Sequence, residues 1–330
     1  MQTSMHYSCF IQSIVLLFIV IFSVPVQCQL DEDLYDDTCP NLTKLVRYGV
    51  WSAIRNETRM AASLLRLHFH DCFVNGCDGS ILLDDTSTLK GEKNASPNRN
   101  SVRGFEVIDD IKASIEKVCP STVSCVDILT LAAREAVYLT GGPYWSVALG
   151  RRDGTTASES AANEQIPGPS ESLPVITAKF TSKGLNAKDV VVLSGAHTIG
   201  FAQCFTFKQR LFNFKSSGKP DPALDSSLLQ GLTSLCPNSD ASDNQLAPLD
   251  PVTTNKFDNV YFKNLLNNSG LLESDQALMG DSDAASMVEN YSKYPYQFFK
   301  DFGASMVKMA NIGVLTGDEG QIRKNCRAVN

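Results

Sequence analysis

The sequence predicts a mainly α-helical protein. Apolar residues recur at helical spacing in many segments, convincing strand alternation is scarce, and no internal repeat of about 20–50 residues is visible. Helices are expected over residues 45–60, 61–73, 105–118, 126–139, 173–182, 188–207, 257–266 and 296–310. Asn186 with Asp189, and Ser124 with Asp127, are typical of helix starts. Segments 76–103, 150–174 and 216–251 are rich in Gly, Pro, Ser and Asn, which favours long loops.

The N-terminus has the pattern of a signal peptide. An apolar run covers residues 14–24 and is followed by Pro25 and small or neutral residues. The run is shorter than the roughly 20 residues that a membrane-spanning helix needs. We therefore expect a signal peptide over 1–28, cleaved after Cys28 with loss of His6, and a secreted mature protein from 29 to 330 without a membrane anchor.

Composition excludes some classes of partner. The formal net charge is -7, the pI is near 5.2, and no run of Lys or Arg is present. Nucleic-acid binding requires clustered basic residues to contact phosphates, so no nucleic-acid partner is expected. About 300 residues are enough to bury a large hydrophobic core or two adjoining lobes.

The cysteines favour disulfides. Ten are present, and removal of Cys9 and Cys28 leaves eight, an even number in a chain directed to an oxidising compartment. Four disulfides are therefore expected, although spacing suggests only that Cys72 and Cys77 can pair. The sequence contains no CxxC pair, so a zinc site built from cysteines is disfavoured. Five glycosylation sequons agree with secretion, at Asn41, Asn56, Asn94, Asn267 and Asn290.

Two of the four histidines lie in the segment from Arg66 to Phe73. On a helix, residues two apart are separated by about 200°, so His68 and His70 point to opposite sides. Arg66, Phe69, His70 and Phe73 then share one face. A basic imidazole beside a guanidinium suits a neutral acid substrate such as a peroxide. The alternatives are a core histidine beside a surface salt bridge, or a strand whose HxH pair binds zinc in a hydrolase.

A loop rich in oxygen ligands follows this segment. Calcium prefers carboxylates, hydroxyls and main-chain carbonyls, usually six to eight of them. The alternative is a solvated, Asp-rich turn. The candidate ligands are Asp71, Val74, Gly76, Asp78 and Ser80.

His197 follows Val190 and Leu193 at helical spacing, which predicts an inward-pointing imidazole. Such a histidine is either structural or the proximal ligand of a haem iron, with a carboxylate on its second nitrogen. Asp250, Asp258 and Asp275 are candidates for that carboxylate, and spacing does not choose among them. Asp250, Thr253, Asp258 and Thr198 form a second oxygen-rich set that suits calcium if the loops converge.

These motifs together resemble the class III secretory peroxidases of plants. The resemblance covers residues 29–330. Its most specific segments run from Arg66 to Phe73, from Gly76 to Ser80, from Val123 to Ile128, from Leu149 to Asp153 and from Leu193 to Gly200. It implies an all-α haem-peroxidase fold in which a distal lobe (about 29–170) and a proximal lobe (about 171–330) hold one haem b between them.

The resemblance also implies roles for individual residues. His70 would be the distal acid and base, Arg66 its charged partner and Phe69 a lid against the haem. Asn98 would bond His70, and Glu92 would anchor that asparagine. His197 would ligate the iron and Asp275 would bond its Nδ1, while Pro167 would contact the donor.

Two calcium ions and a disulfide pairing follow from the same resemblance. The distal ion would be held by Asp71, Val74, Gly76, Asp78 and Ser80, and the proximal ion by Thr198, Asp250, Thr253, the Lys256 carbonyl and Asp258. The implied disulfides are Cys39 with Cys119, Cys72 with Cys77, Cys125 with Cys326, and Cys204 with Cys236.

The implied activity is reduction of hydrogen peroxide with oxidation of phenolic donors in two one-electron steps. His70 would move the peroxide proton while Arg66 stabilises cleavage of the O–O bond. A monomer in the apoplast is expected, with the vacuole disfavoured because the chain ends soon after Cys326, and lignification, wall cross-linking and oxidative stress are the expected contexts. Two rival hypotheses are a secreted zinc hydrolase and a non-catalytic calcium-binding glycoprotein.

Overall fold

The computed structural model describes residues 30–330, and the signal peptide, its cleavage after Cys28 and the loss of His6 lie outside these residues. The described chain folds into thirteen α-helices and one small antiparallel sheet. The helices are α1 (Leu42–Asn56), α2 (Met60–Phe73), α3 (Phe105–Glu116), α4 (Cys125–Leu139), α5 (Glu159–Gln165), α6 (Leu173–Ser182), α7 (Ala187–Ser194), α8 (Lys208–Phe212), α9 (Ser226–Leu235), α10 (Val260–Leu266), α11 (Glu273–Gln276), α12 (Ser282–Lys293) and α13 (Pro295–Met309). The strands are β1 (Phe201–Gln203) and β2 (Leu246–Pro248).

Helix α4 is the centre of the fold. Every residue from Cys125 to Val137 is buried, and the helix packs against α1, α2 and α3. A helix without an exposed face must pair its charges internally. Arg134 Nη2 lies 2.7 Å from Glu135 Oε1, and Arg151 Nη1 lies 3.0 Å from Asp127 Oδ1. This central helix fixes the position of α2, which carries the first histidine segment.

A smaller hydrophobic cluster surrounds the two-stranded sheet. Phe201 pairs with Pro248, and Gln203 pairs with Leu246. Cys204, Phe207, Leu211 and other buried side chains fill this cluster, which is separate from the main core. The sheet joins the segment directly after His197 to the segment directly before Asp250. It therefore brings two distant candidate ligands toward one region.

All four disulfides implied by the resemblance are present. They join Cys39 to Cys119, Cys72 to Cys77, Cys125 to Cys326, and Cys204 to Cys236. The pair at 125 and 326 links α4 to the C-terminal segment, which also bonds the N-terminal half through main-chain contacts between Asp153 and Gln321. The division into lobes near residue 170 stays a prediction, since one main core contains residues from Tyr35 to Cys326.

Several predicted element boundaries were wrong. The helix expected over 45–60 ends at Asn56, because Glu57 is extended and its carboxylate contacts both terminal nitrogens of Arg103, at 2.7 and 2.5 Å. Helices α5 and α9 lie inside segments predicted to be loops. Helix α12 was not predicted at all, since its polar sequence hides a narrow buried stripe that includes Ala284, Val288 and Tyr291.

The helix expected over 188–207 was also wrong. Helix α7 ends at Ser194, whose hydroxyl donates to the Val190 carbonyl four residues earlier and so competes with the helical hydrogen bonds. A 3-10 segment, Gly195–Thr198, follows, and Gly200 has a φ of 106° that only glycine adopts easily. His197 therefore lies on a tight turn after the helix rather than on a long helical face.

Candidate active site

Helix α2 places an arginine and a histidine side by side. Arg66 and His70 are four residues apart, and Arg66 Nε lies 3.1 Å from His70 Nε2. The other ring nitrogen, Nδ1, lies 2.5 Å from Asn98 Oδ1. Because an amide oxygen can only accept, Nδ1 carries the proton and Nε2 is the basic nitrogen. Nε2 carries no proton and accepts from Arg66 Nε, so it is the ring nitrogen that can take a proton from a substrate.

At neutral pH the His70 imidazole is uncharged and the Arg66 guanidinium is positively charged. Burial, and then the nearby Arg66 charge, keep the pKa of His70 well below its usual value, while the Asn98 hydrogen bond opposes this shift. Burial of its guanidinium lowers the pKa of Arg66 to about 10, so the group stays protonated at neutral pH, while other parts of the side chain are exposed. A neutral base therefore lies directly beside a fixed cation.

A loop supports both groups. Arg66 Nη2 donates to the Pro97 carbonyl at 2.8 Å and to the Ser101 hydroxyl at 3.2 Å. Asn98 Nδ2 donates to the Glu92 main-chain oxygen at 2.8 Å. Glu92 thus contacts Asn98 as the resemblance implies, and it does so through its main-chain carbonyl. Ser101 was not identified from the sequence, where a serine in a polar loop gives no distinguishing signal.

The remaining side chains of α2 confirm the helical interpretation. The Phe69 ring lies 4.4 Å from Phe73 and 5.6 Å from His70, centroid to centroid. His68 is fully buried on the other side, with its ring nitrogens 3.7 and 3.9 Å from the Cys72 sulfur. The zinc-hydrolase hypothesis was wrong, because it required a strand that would place His68 and His70 on one face.

The second histidine pairs with the third of its three candidate carboxylates. His197 Nδ1 lies 2.7 Å from Asp275 Oδ1, so Asp275 is the partner and neither Asp250 nor Asp258 is. Asp275 is buried, and its second oxygen accepts the Leu272 main-chain N–H at 2.9 Å. These contacts fix the carboxylate at the start of α11. The His197 ring is thereby oriented with Nε2 directed away from the carboxylate.

A tyrosine that the sequence did not reveal completes this group. Tyr261 donates its hydroxyl to Asp275 Oδ1 at 3.1 Å, and its ring meets His197 edge-on with centroids 6.1 Å apart. Burial, followed by the Asp275 charge, raises the pKa of Tyr261 well above its usual value. Tyr261 lies on the buried stripe of α10, where an aromatic residue looks like ordinary core.

These residues fit a haem iron. His197 has one nitrogen bonded to a carboxylate, which makes the other a stronger metal ligand. The side chain keeps 36% of its surface exposed although Leu193 and Thr198 beside it are buried, so Nε2 is accessible to a ligand. Between Leu30 and Asn330, no group of three or more His, Cys, Asp or Glu side chains is arranged to hold a metal ion.

The loop after α2 fits a hard cation. Asp71 accepts main-chain N–H groups of Gly79 and Ile81, and Asp78 accepts that of Ser80. Burial, and then the charges of Asp78 and Glu92, raise the pKa of Asp71, and burial likewise raises that of Asp78. The Val74 carbonyl also accepts the Lys183 ammonium, at 2.8 Å. Two buried carboxylates whose charges raise a pKa in this way are stabilised by a bound cation or by a proton.

Buried oxygens without hydrogen-bond partners lie beside the same loop after α2. Among residues 30–330, the buried Ser80 hydroxyl and both Glu92 carboxylate oxygens have no hydrogen-bond partner. Burial raises the pKa of Glu92 to about 8, and the nearby Ser80 hydroxyl lowers it without reaching hydrogen-bonding geometry. Gly76 has a φ of 126°, and a Cβ there would approach the Gly313 oxygen to 2.5 Å. The loop is thus tightly packed around a set of oxygens that a calcium ion would satisfy.

The second oxygen-rich set converges as expected. Thr198 Oγ1 donates to Asp258 Oδ1 at 3.3 Å. Thr253 Oγ1 lies 2.9 Å from Asp250 Oδ2 and 3.1 Å from Asp258 Oδ1. Lys256 follows Thr253 in the same turn, with its N–H bonded to the Thr253 carbonyl at 2.9 Å. The loops therefore meet beside His197, although they are far apart in sequence.

Pro167 lies directly after α5, partly buried. Its loop is joined to the proximal side, since the Ser274 N–H donates to the Pro169 carbonyl at 3.0 Å. Ser274 precedes Asp275, so the loop that carries Pro167 is tied to the turn that orients His197.

A neutral base beside a fixed cation, a second histidine bonded to a carboxylate, and a helical fold with four disulfides define the chain as a haem-dependent peroxidase. The comparisons with known proteins agree. The peroxidase family model matches residues 46–294. Peroxidase 10 of Arabidopsis thaliana is 65% identical over 294 residues, which cover 88% of this chain and 84% of the relative.

Other relatives extend the match to nearly the whole chain. Peroxidase N of Armoracia rusticana is 54% identical, covering 92% of each chain. Peroxidase 15 of Ipomoea batatas is 51% identical, covering 95% of this chain and 97% of the relative. The chain therefore belongs to the peroxidase family, within the class III plant peroxidases.

Family membership establishes an enzyme that acts as a peroxidase, with a haem cofactor, hydrogen peroxide and a donor as its reactants. The non-catalytic hypothesis is not supported. Class III peroxidases are secreted, and no helix within residues 30–330 is long and apolar enough to cross a membrane. All five sequon asparagines are exposed.

Proposed function

We propose that this peroxidase uses one haem b, which His197 would hold as the iron ligand, and that Arg66 and His70 act on hydrogen peroxide. Phenols are the proposed donors, and Pro167 lies in the loop that contacts them. Two calcium ions occupy the oxygen-rich sets beside His70 and His197. The enzyme acts as a monomer in the apoplast, with lobes that divide near residue 170.

One observation carries this proposal: His70 presents an unprotonated Nε2 to the same space as the Arg66 guanidinium. Bound haem would supply the redox-active iron needed to reduce hydrogen peroxide. The His70 Nε2 takes a proton from the peroxide. His70 then returns this proton to the departing oxygen, which leaves as water.

The neighbouring residues support that proton transfer. Arg66 stabilises the negative charge that develops as the O–O bond lengthens. Asn98 accepts a hydrogen bond from His70 Nδ1 and so keeps the ring proton on that nitrogen. The basic nitrogen, Nε2, therefore stays directed at the substrate. Asp275 accepts the Nδ1 proton of His197, which strengthens Nε2 as a ligand.

The test compares the absorption spectrum and the peroxide reaction of three proteins. The wild type should show a Soret band that shifts on adding hydrogen peroxide. His70→Ala should keep that band and lose peroxide reactivity by a factor of about 10² or more, because the base is gone. His197→Ala should instead bind haem poorly. A His70→Ala protein that reacts with peroxide at the wild-type rate would overturn the proposed roles.

A further inference from the structure

A continuous line of aromatic rings leads from His197 toward the surface. The Tyr261 ring contacts His197 with centroids 6.1 Å apart, and Phe262 follows at 5.1 Å from Tyr261. Tyr291, on α12, lies 5.3 Å from Phe262. Each ring therefore touches the next, and the line crosses from α10 to α12 without a gap.

Both tyrosines in this line donate to a carboxylate. The Tyr261 hydroxyl lies 3.1 Å from Asp275 Oδ1, and the Tyr291 hydroxyl lies 2.9 Å from Asp301 Oδ2. A neutral tyrosine gives up an electron readily only when its proton can leave at the same time. A carboxylate within hydrogen-bonding distance can accept that proton and later return it. Tyr291, whose hydroxyl donates to Asp301, therefore has an acceptor for its proton at the surface end of the line.

The line ends at a surface cavity of about 640 Å³. Tyr291 lines this cavity together with Tyr294 and Tyr296, which are 60% and 80% exposed. Pro295, between them, is the first residue of α13 and restricts the backbone there. The cavity therefore combines a buried oxidisable ring with two exposed rings held in fixed positions.

We propose that this cavity is a second donor site, at which a phenolic ring carried by a polymer is oxidised by Tyr291, the electron passing through Phe262 and Tyr261 to the peroxide-oxidised haem. This inference rests on the proposed function, since it requires the oxidising equivalents that reduction of hydrogen peroxide supplies.

The exposed rings argue for a phenolic polymer as the occupant. Tyr294 and Tyr296 offer faces on which a phenolic ring can stack in offset or edge-on geometry. Neither Arg66 nor His70 lines this cavity, so a ring projecting from a macromolecule can enter it without contacting them. Asp301, which also lines the cavity, contacts Lys188 at 2.9 Å and Gln297 at 2.9 Å, and these contacts hold its carboxylate in place.

The electrons and protons balance. One hydrogen peroxide takes two electrons and two protons and gives two waters. Each of two phenols loses one electron and its hydroxyl proton and becomes a phenoxyl radical. Tyr291 passes its proton to Asp301 when it is oxidised, and recovers it when the phenol supplies the next electron.

The test uses the haem-loaded enzyme and two donors, free guaiacol and the same phenol coupled through a short linker to dextran. Tyr291→Phe keeps the ring and its packing but cannot release a proton. It should lower the rate with the dextran-bound phenol by about tenfold, equivalent to about 1.4 kcal/mol of activation free energy, relative to the rate with guaiacol. The control Tyr138→Phe removes an exposed tyrosine outside the line and should change neither rate.

A second variant and a second measurement guard against misfolding of Tyr291→Phe. Asp301→Asn keeps a hydrogen-bond acceptor for Tyr291 but takes up a proton poorly, so it should also slow the dextran-bound phenol selectively. Mixing the wild type with peroxide alone should give a tyrosyl radical signal in electron paramagnetic resonance, and this signal should weaken in Tyr291→Phe.

The outcomes separate this inference from the proposed function. Equal dextran-to-guaiacol rate ratios in the wild type and both variants would overturn the second donor site while leaving the peroxidase activity intact. A parallel loss with both donors would also overturn it, because it would indicate general damage. A wild type that oxidises neither donor would instead contradict the proposed function.

Discussion

Asn98 determines which nitrogen of His70 is basic. Its Oδ1 accepts from Nδ1 at 2.5 Å, and its own amide is held by the Glu92 carbonyl at 2.8 Å. We expect Asn98→Ala to lower the rate of the peroxide reaction by about 10-fold to 100-fold, because the imidazole loses its preferred tautomer and orientation. Stopped-flow absorbance at the Soret band measures this rate directly.

Asn311→Ala is the matched control, because Asn311 is an exposed asparagine that bonds neither His70 nor His197. Its peroxide rate should equal that of the wild type. The expectation for Asn98 fails if Asn98→Ala and Asn311→Ala react equally fast.

His68 is fully buried and makes the fold sensitive to acid. Burial, and then the Arg151 charge, lower its pKa from 6.5 to about 3. As pH falls from 6.5 toward 3, the unfolded chain binds a proton at His68 that the folded chain does not bind. The free energy of unfolding must therefore decrease with falling pH, by about 3 kcal/mol between pH 7 and pH 4 from this residue alone.

The variant His68→Leu removes this titration. Urea unfolding at both pH values should show a smaller acid loss for His68→Leu than for the wild type, even if the variant is less stable at pH 7. Equal losses in the two proteins would assign the acid sensitivity to other groups.

At the residue scale, helical spacing was sufficient to group Arg66, Phe69 and His70 and to separate His68 from them. Pairings across long sequence distances were not available from spacing. The choice of Asp275 among three carboxylates depends on where α11 packs, and Tyr261 looks like core until its hydroxyl is seen beside Asp275. Residues whose roles depend on tertiary contacts therefore needed the resemblance or the structure.

At the element scale, the start of α4 depends on an acidic side chain from another segment. Asp153 accepts the N–H groups of Cys125, Val126 and Arg323, at 3.0, 2.9 and 2.9 Å, and it is fully buried. Asp153→Ala leaves three buried donors without a partner. We expect it to lower the free energy of unfolding by about 3–6 kcal/mol in total.

Ser124→Ala provides the comparison, because Ser124 is the helix cap and accepts only the Asp127 N–H. It should lower the free energy of unfolding by about 1 kcal/mol, the usual effect of losing a cap. Chemical unfolding of the two variants ranks them, and a larger effect for Ser124→Ala would contradict the assigned importance of Asp153.

The capping residues were predictable and the ends of helices near the site were not. Asn186 and Asp189 form the capping box that their spacing indicated. The end of α7 at Ser194 depends on a side-chain hydrogen bond to Val190 and on the glycines that follow, so apolar periodicity alone extended the helix too far. The spacing of apolar residues cannot predict where a helix ends when a side chain competes for its main-chain hydrogen bonds.

At the scale of the whole molecule, His70 and His197 are each directly followed in the chain by a proposed calcium ligand. Asp71 follows His70, and Thr198 follows His197. The two oxygen-rich sets are assembled from loops that are otherwise held by few regular elements. We therefore expect calcium removal by a chelator to alter the Soret spectrum and to lower the peroxide rate, with recovery when calcium is restored, because both imidazoles lose a fixed neighbour.

A matched pair of variants isolates the proximal half of this coupling. Thr253→Val deletes a hydroxyl that lies between Asp250 and Asp258, whereas Thr254→Val deletes a hydroxyl that bonds only the Asp250 carbonyl. Thr253→Val should weaken calcium retention and shift the spectrum toward that of the chelated enzyme, while Thr254→Val should retain calcium. If the enzyme keeps full activity and an unchanged haem spectrum after calcium is chelated, the ions do not position His70 and His197. The calcium ligands would then have no effect on the histidines that precede them in the chain.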